Sequence, residues 1–134
     1  MAQPLKNKIL IIEDDLFLLE IYAHKFSDAD FDIVTALDGE SALEVAHKEK
    51  PDVILLDLIL PKIDGLEVLR LLKKDKEFSS IPVVILTNRG EKDLVEKAVK
   101  LGAAAFITKI TYTPTEVVSK VKSIVEKIAA KARK

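Results

Sequence analysis

Four polar clusters in this sequence could act together in one site. Each follows a run that is apolar or nearly so: Glu13-Asp14-Asp15, Asp57, Thr87 and Lys109. A carboxylate beside apolar residues is costly unless a cation or a hydrogen-bond donor pairs with it. Three acids, a hydroxyl and a lysine that follow separate strand-like runs therefore predict one assembled site.

Asp57 is the residue on which the chemistry of such a site would depend. It follows Val53–Leu56, so a buried strand would end on a charge. Asp14 and Asp57 would repel each other if both were ionised, and a hard divalent cation such as Mg²⁺ would relieve that repulsion. Glu13 could hold a water molecule bound to the metal.

The same residue types suit phosphoryl transfer. A carboxylate such as Asp57 can act as a nucleophile and form an acyl phosphate. The phosphoryl oxygens need cations and donors around them, and a metal ion, the Lys109 ammonium and the Thr87 hydroxyl would supply these.

Short apolar runs alternate with segments of helical spacing. The runs predict strands at Ile9–Ile12, Phe31–Ala36, Val53–Leu56, Val83–Leu86 and Ala103–Thr108. The spacing predicts helices at Leu16–Phe26, Glu40–Lys48, Leu66–Lys74, Glu91–Lys100 and Thr115–Lys134, with Asp38 as an N-cap and Gly102 as a C-terminal stop. This alternation predicts an α/β fold, a doubly wound three-layer sandwich around a parallel sheet. Ligands of such sheets bind beyond the carboxyl ends of the strands, where the four clusters lie.

Composition narrows the class of protein. The 134 residues suffice for one domain, and the net charge of −1 gives no general attraction to nucleic acid or membranes. The absence of cysteine excludes disulfides and thiolate zinc sites. No run is long enough to span a membrane, and residues 1–8 have no apolar signal core. We expect a soluble, cytoplasmic chain that is either complete or the receiver part of a larger protein.

The motifs resemble the receiver (CheY-like) domain of two-component response regulators. The matching segments are Ile11-Ile12-Glu13-Asp14-Asp15, the stretch from Asp57 to Gly65, Leu86-Thr87, and Lys109. The resemblance covers about residues 7 to 128. It implies a single flavodoxin-like receiver domain over 1–134 with strand order 2-1-3-4-5 and a long C-terminal helix over about 115–133.

The resemblance also implies a metal site and a role for Asp57. Asp57 would be the phosphoacceptor, taking a phosphoryl group from a histidine kinase. Mg²⁺ would be bound by Asp14, Asp57 and the backbone carbonyl of Ile59, with Glu13 acting through water. Lys109 would pair with the phosphoryl group.

In the same family, Thr87 would move toward the phosphoryl group and the ring of Phe106 would turn inward. The surface of helix 4, strand 5 and helix 5 would then change its partner preference.

The partners would be a sensor histidine kinase or phosphotransfer protein and a downstream effector or output domain. Direct contact with nucleic acid or membrane is not expected. The domain would be a monomer or a phosphorylation-dependent dimer, and it would catalyse only its own phosphotransfer and self-dephosphorylation.

Four residues bear on how closely the chain follows the family. Ile110 stands where the family usually has proline, so the Lys109–Ile110 bond is expected to be trans or strained. Asn88 is larger than the residue that commonly follows the equivalent of Thr87 in this family. Ile59 and Arg89 would flank the phosphoryl group, which predicts slow self-dephosphorylation.

Two other classes of function compete with this interpretation. A degenerate receiver that acts as a constitutive interaction module is the alternative. A different α/β enzyme is disfavoured, because the chain has only four glycines and no glycine-rich phosphate loop. In helix 1, Leu16, Leu19 and Ala23 form a second apolar stripe, which predicts either a broad core contact or a docking stripe for a kinase helix bundle.

Overall fold

The computed structural model describes residues 6–132, and five strands alternate with five helices along this range. Their order is β1 (Lys8–Ile12), α1 (Leu16–Asp28), β2 (Asp32–Ala36), α2 (Gly39–Glu49), β3 (Val53–Leu56), α3 (Gly65–Lys74), β4 (Val83–Thr87), α4 (Lys92–Lys100), β5 (Ala105–Thr108) and α5 (Pro114–Ala132). The predicted alternation is confirmed. The last two residues of the predicted final helix, Arg133 and Lys134, lie outside the described range. Within that range, no helix is both long and apolar enough to cross a membrane.

The five strands form one parallel sheet in the order β2-β1-β3-β4-β5. This is the predicted order of a doubly wound sheet. β1 lies beside both β2 and β3, so the loops that follow β1 and β3 are neighbours at the same edge. The carboxyl ends of all the strands therefore meet where the sequence places its polar clusters.

Each central strand supplies side chains to two separate cores. In β1, Ile9 and Ile11 pack on the face that α1 and α5 cover, whereas Leu10 and Ile12 pack on the face that α2, α3 and α4 cover. The alternation follows from the two-residue period of a strand. Since both faces are buried, the four consecutive residues Ile9–Ile12 are all apolar, and each such side chain contributes about 1.5–3 kcal/mol of burial free energy.

Helix α1 buries a wider face than one stripe would require. Leu19 is only 7% exposed and lies in the same core cluster as Tyr22 and Phe26. Ala23 packs against that cluster, while Leu16 is 61% exposed. The predicted docking stripe over Leu16, Leu19 and Ala23 is therefore wrong. The alternative, a broad core contact, is correct for Leu19 and Ala23.

The ends of the helices are fixed by local hydrogen bonds. Asp38 caps α2 as predicted, because its Oδ1 accepts from the backbone N–H of Ser41 at 2.8 Å. Gly102 follows the end of α4 with a φ of 103°, a conformation that favours glycine. The N–H of Ala103 then donates to the carbonyl of Ala98. That bond belongs to the helix end, so β5 begins at Ala105 and not at Ala103 as predicted.

Helix α5 starts with a reciprocal pair of hydrogen bonds. The Thr113 hydroxyl accepts from the N–H of Glu116 at 3.2 Å, and the Glu116 carboxylate accepts from the N–H of Thr113 at 2.9 Å. Pro114 occupies the first helical position, where its missing N–H is not needed. This capping box fixes the point at which the chain turns from the site into its longest helix.

Candidate functional site

A cleft of ≈ 320 Å³ opens at the carboxyl edge of the sheet. It is lined by Glu13, Asp14, Asp15, Leu18, Asp57, Ile59, Thr87, Asn88, Arg89 and Lys109. All four polar clusters of the sequence thus reach the same cleft, and the prediction of one assembled site is confirmed.

Backbone hydrogen bonds continue the sheet one residue past the strands and so position three of these side chains. The N–H of Glu13 donates to the carbonyl of Ala36 at 3.1 Å, and the N–H of Asp57 donates to that of Ile12 at 3.1 Å. Likewise the N–H of Lys109 donates to the carbonyl of Thr87 at 2.8 Å. The two acids and the lysine are therefore held by the rigid sheet rather than by free loops.

Lys109 bridges the two buried acids. Its Nζ donates to Oδ2 of Asp57 at 2.8 Å and also to Oε1 of Glu13. The three side chains are only 9%, 8% and 4% exposed for Lys109, Asp57 and Glu13. Such a buried set persists because each charge has a partner.

Burial and pairing shift the pKa values of this group. Burial raises the pKa of Glu13 above its usual value, although the hydrogen bond and charge of Lys109 act against the shift. For Lys109, burial works against the charged form, but hydrogen bonds to Asp57 and Glu13 outweigh it and the pKa lies above its usual value. The ammonium therefore stays charged at neutral pH.

The second carboxylate oxygens of Asp57 and Glu13 also accept hydrogen bonds. The backbone N–H of Ile59 donates to Oδ1 of Asp57 at 3.1 Å, and the N–H of Asp15 donates to Oε2 of Glu13 at 3.1 Å. Thr87 is fully buried. Its hydroxyl oxygen accepts from the N–H of Arg89 at 3.5 Å, which is a long contact.

Glu13, Asp14 and Asp57 could hold a metal ion, because one oxygen from each lies within 4.8 Å of the others. Asp14 is exposed to solvent at the mouth of the cleft. With the three carboxylates ionised and Lys109 protonated, the group carries a net charge of −2. Oxygen donors and this charge fit a hard divalent cation such as Mg²⁺.

The structure gives the three consecutive acids of the sequence three different tasks. Glu13 is buried against Lys109 and Asp14 faces the solvent. Asp15 is the N-cap of α1, accepting from the N–H groups of Phe17 and Leu18. Sequence reasoning missed this capping role and the Glu13–Lys109 bond. The first could have been inferred from an Asp just before a helical pattern.

Two further predicted positions lie beside the cleft and not in it. Phe106 is half-buried on β5 and packs against the core beneath α2, α3 and α4. Ile110 is exposed, and no peptide bond in the described range is cis, so the Lys109–Ile110 bond is trans. Of the two outcomes expected for that bond, the trans form is present.

A family model, the response regulator receiver domain, matches residues 9–122. The chain belongs to this family. The transcriptional regulatory protein PhoP of Bacillus subtilis, which controls alkaline phosphatase synthesis, is 36% identical over 92% of this chain. The match covers 50% of PhoP, so the receiver domain spans about half the length of its curated relative.

Solved structures show the same fold. The BeF3-activated N-terminal receiver domain of Klebsiella pneumoniae RstA is 31% identical, with a TM-score of 0.82 over 89% of this chain and 98% of that one. The Mn²⁺-bound form of the response regulator Rcp1 is 29% identical, with a TM-score of 0.78 over 87% of this chain and 92% of that one. The receiver domain is thus similar to signalling proteins whose flavodoxin-like fold it shares.

Proposed function

We propose that this receiver domain accepts a phosphoryl group on Asp57. The observation that carries the proposal is the Lys109–Asp57 hydrogen bond of 2.8 Å, which pairs a charged lysine with the buried carboxylate that directly follows β3. The ammonium that pairs with Asp57 in the free domain can pair with a phosphoryl oxygen after transfer.

The transfer itself is a displacement at phosphorus. A carboxylate oxygen of Asp57 forms a bond to the phosphorus of a phosphohistidine, and the phosphorus–nitrogen bond breaks. The imidazole leaves with the bonding electron pair and takes up a proton. The N–H of Ile59, which already donates to Asp57, orients the carboxylate for this attack.

Asp14 and Asp57 are the carboxylates we assign to Mg²⁺, together with the carbonyl oxygen of Ile59. Glu13 fits a role through a bound water, because both of its oxygens already accept from protein groups. When bound, the ion neutralises charge on the phosphoryl oxygens. The manganese in the similar regulator Rcp1 supports a divalent site in this fold.

Thr87 and Phe106 are the residues we assign to signal output. They lie on the adjacent strands β4 and β5, and Phe106 pairs in register with Ile85, two residues before Thr87. A dianionic group on Asp57 would draw the Thr87 hydroxyl toward it as a donor. The ring of Phe106 would then repack, which changes the surface of α4, β5 and α5 that a downstream effector or output domain contacts.

The decisive experiment compares the wild type with Asp57→Asn in the presence of Mg²⁺ and phosphoramidate. We expect the wild type to gain one phosphoryl group by intact-mass measurement and the variant to gain none, because an amide is a poor nucleophile. The control is Asp52→Asn. Asp52 is an exposed acid at the amino-terminal ends of the strands, away from the cleft, so this variant should behave as the wild type. A wild type without uptake would instead support the degenerate, constitutive receiver.

A further inference from the structure

The loop between β4 and α4 carries an ion pair that the proposed phosphoryl transfer does not use. Nε of Arg89 donates a hydrogen bond to Oε1 of Glu91 at 2.7 Å. Arg89 lines the cleft of Asp57, and Glu91 is the N-cap residue of α4. The pair therefore connects the rim of the site to the start of a helix.

The Glu91 side chain bonds to Arg89 and does not cap the helix that it precedes. An N-cap side chain usually accepts a hydrogen bond from an N–H in the first helical turn. Glu91 makes no such bond. A hydrogen bond from its own backbone N–H and the one from Arg89 hold the pKa of Glu91 below its usual value. The carboxylate is thus charged at neutral pH and available to restrain the guanidinium.

The Arg89–Glu91 ion pair is weak enough for Arg89 to change partner. The Arg89 and Glu91 side chains are 55% and 48% exposed. Exposed pairs of this kind change an equilibrium by no more than about fivefold. A phosphoryl group on Asp57 would carry about two negative charges in a more enclosed position, so it would compete with Glu91 for the same guanidinium.

We propose that Glu91 is a positioning residue that competes with the phosphoryl group of Asp57 for Arg89. The inference rests on the function proposed for Asp57. When Arg89 binds the phosphoryl oxygens, it covers the face from which water attacks. When Glu91 holds Arg89, that face is open. Glu91 thereby shortens the lifetime of the phosphorylated state.

The reaction that sets this lifetime is hydrolysis of the acyl phosphate. A water oxygen bonds to phosphorus, and the bond from phosphorus to the Asp57 oxygen breaks. The electron pair returns to the carboxylate, and the protons of the water leave with the phosphate or pass to solvent. Arg89 acts on this step by occupying the approach, and Glu91 acts only through Arg89.

A double-mutant cycle tests the proposal. Wild type, Glu91→Gln, Arg89→Gln and the double variant are phosphorylated with phosphoramidate and Mg²⁺, and phosphate loss and beryllofluoride affinity are measured. We expect Glu91→Gln to lengthen the lifetime and tighten beryllofluoride binding about two- to fivefold. Arg89→Gln should shorten the lifetime, and the double variant should match Arg89→Gln. The matched control is Glu96→Gln, the same charge change at an exposed position of α4, which should match the wild type.

Three results would overturn the proposal. One is an unchanged or shorter lifetime in Glu91→Gln. Another is a Glu91→Gln effect of equal size when Arg89 is already glutamine, because that would be a general charge effect and not competition for the guanidinium. A wild type that binds neither phosphate nor beryllofluoride would overturn both this inference and the function proposed for Asp57. Thermal unfolding of each variant checks that it is folded under the conditions in which phosphate loss and beryllofluoride affinity are measured.

Discussion

Lys109 and Asp57 are joined by a hydrogen bond of 2.8 Å although β4 lies between the strands that they follow. The same ammonium also bonds Glu13, at the end of β1. One lysine is therefore the counter-charge for acids from two other strands. Lys109 therefore stabilises the two buried carboxylates, Glu13 and Asp57, which would repel each other without it.

Replacing Lys109 with methionine should destabilise the domain in metal-free buffer. Glu13 and Asp57 would stay buried without a cation, at a cost of roughly 2–3 kcal/mol, which is less than for a fully enclosed pair because the cleft is open to water on one side. Urea unfolding measures the loss. Mg²⁺ should restore more stability to the variant than to the wild type, since it replaces the missing charge. Lys120→Met, on the exposed face of α5, is the control, and equal stability of both variants would contradict the role of Lys109.

Gly65 should be required for the shape of the backbone next to Asp57. A Cβ at this position would lie 2.4 Å from Cα of Leu58 and 2.6 Å from the backbone oxygen of Asp57. Backbone must shift to admit it, so Gly65→Ala should cost about 1–3 kcal/mol and slow phosphate uptake. Gly102→Ala is the matched control: its φ of 103° makes alanine strained, but it lies away from the site. If Gly65→Ala takes up phosphate at the wild-type rate, Gly65 does not set the geometry of Asp57.

Ile59 should slow the loss of phosphate from Asp57. Its side chain is half-exposed at the cleft, and an apolar group there offers no partner for an attacking water. Ile59→Asn supplies an amide that can orient that water, so the phosphorylated state should decay several-fold faster. Phosphate release after removal of the phosphodonor measures the rate. Ile128→Asn, at an exposed position far along α5, should leave it unchanged, and identical decay in both variants would refute the role of Ile59.

The capping box of α5 should make the stability of the domain depend on pH in the acid range. Hydrogen bonds from the N–H and hydroxyl of Thr113 hold the pKa of Glu116 below its usual value. An acid whose pKa is lowered by folding stabilises the protein fully at a pH above its pKa in the unfolded state, about 4.3. This stabilisation is lost as the pH falls through its pKa in the folded state. The stability difference between wild type and Glu116→Gln should therefore be largest at neutral pH and shrink below about pH 4.

Thr113→Ala removes the other half of the same box and should cost about 1 kcal/mol at neutral pH. Chemical denaturation at a series of pH values measures both variants. The exposed Glu126→Gln on the same helix controls for the loss of a negative charge. A Glu116→Gln difference that does not vary with pH would show that its carboxylate does not cap the helix.

The fold and the location of the site could be predicted because the same pattern encodes both. An apolar run such as Val53–Leu56 marks a strand that is buried on both faces, and the first polar residue after it marks the carboxyl edge. That logic places Asp57 and Thr87 directly and Lys109 one residue further on, after Thr108, without knowledge of their contacts. Parallel pairing then brings them together, as the structure shows.

Contacts that depend on side-chain reach could not be predicted in this way. The burial of Leu19 follows from how α1 packs on the sheet together with α5, which helical spacing alone does not fix. The bond from Lys109 to Glu13 crosses two intervening strand ends. The pairing of Arg89 with Glu91 depends on the loop conformation that ends β4. In each case the pattern identifies the residue, and only the assembled tertiary structure identifies its partner.

The reach of Lys109 has a consequence for a chain that is still being synthesised. Glu13 and Lys109 are 96 residues apart, and the lysine leaves the ribosome after the first four strands are complete. Until it emerges, the acids that follow β1 and β3 lack this counter-charge. We therefore expect the nascent domain to reach its final stability, and its competence to receive a signal, in one late step when β5 joins the sheet.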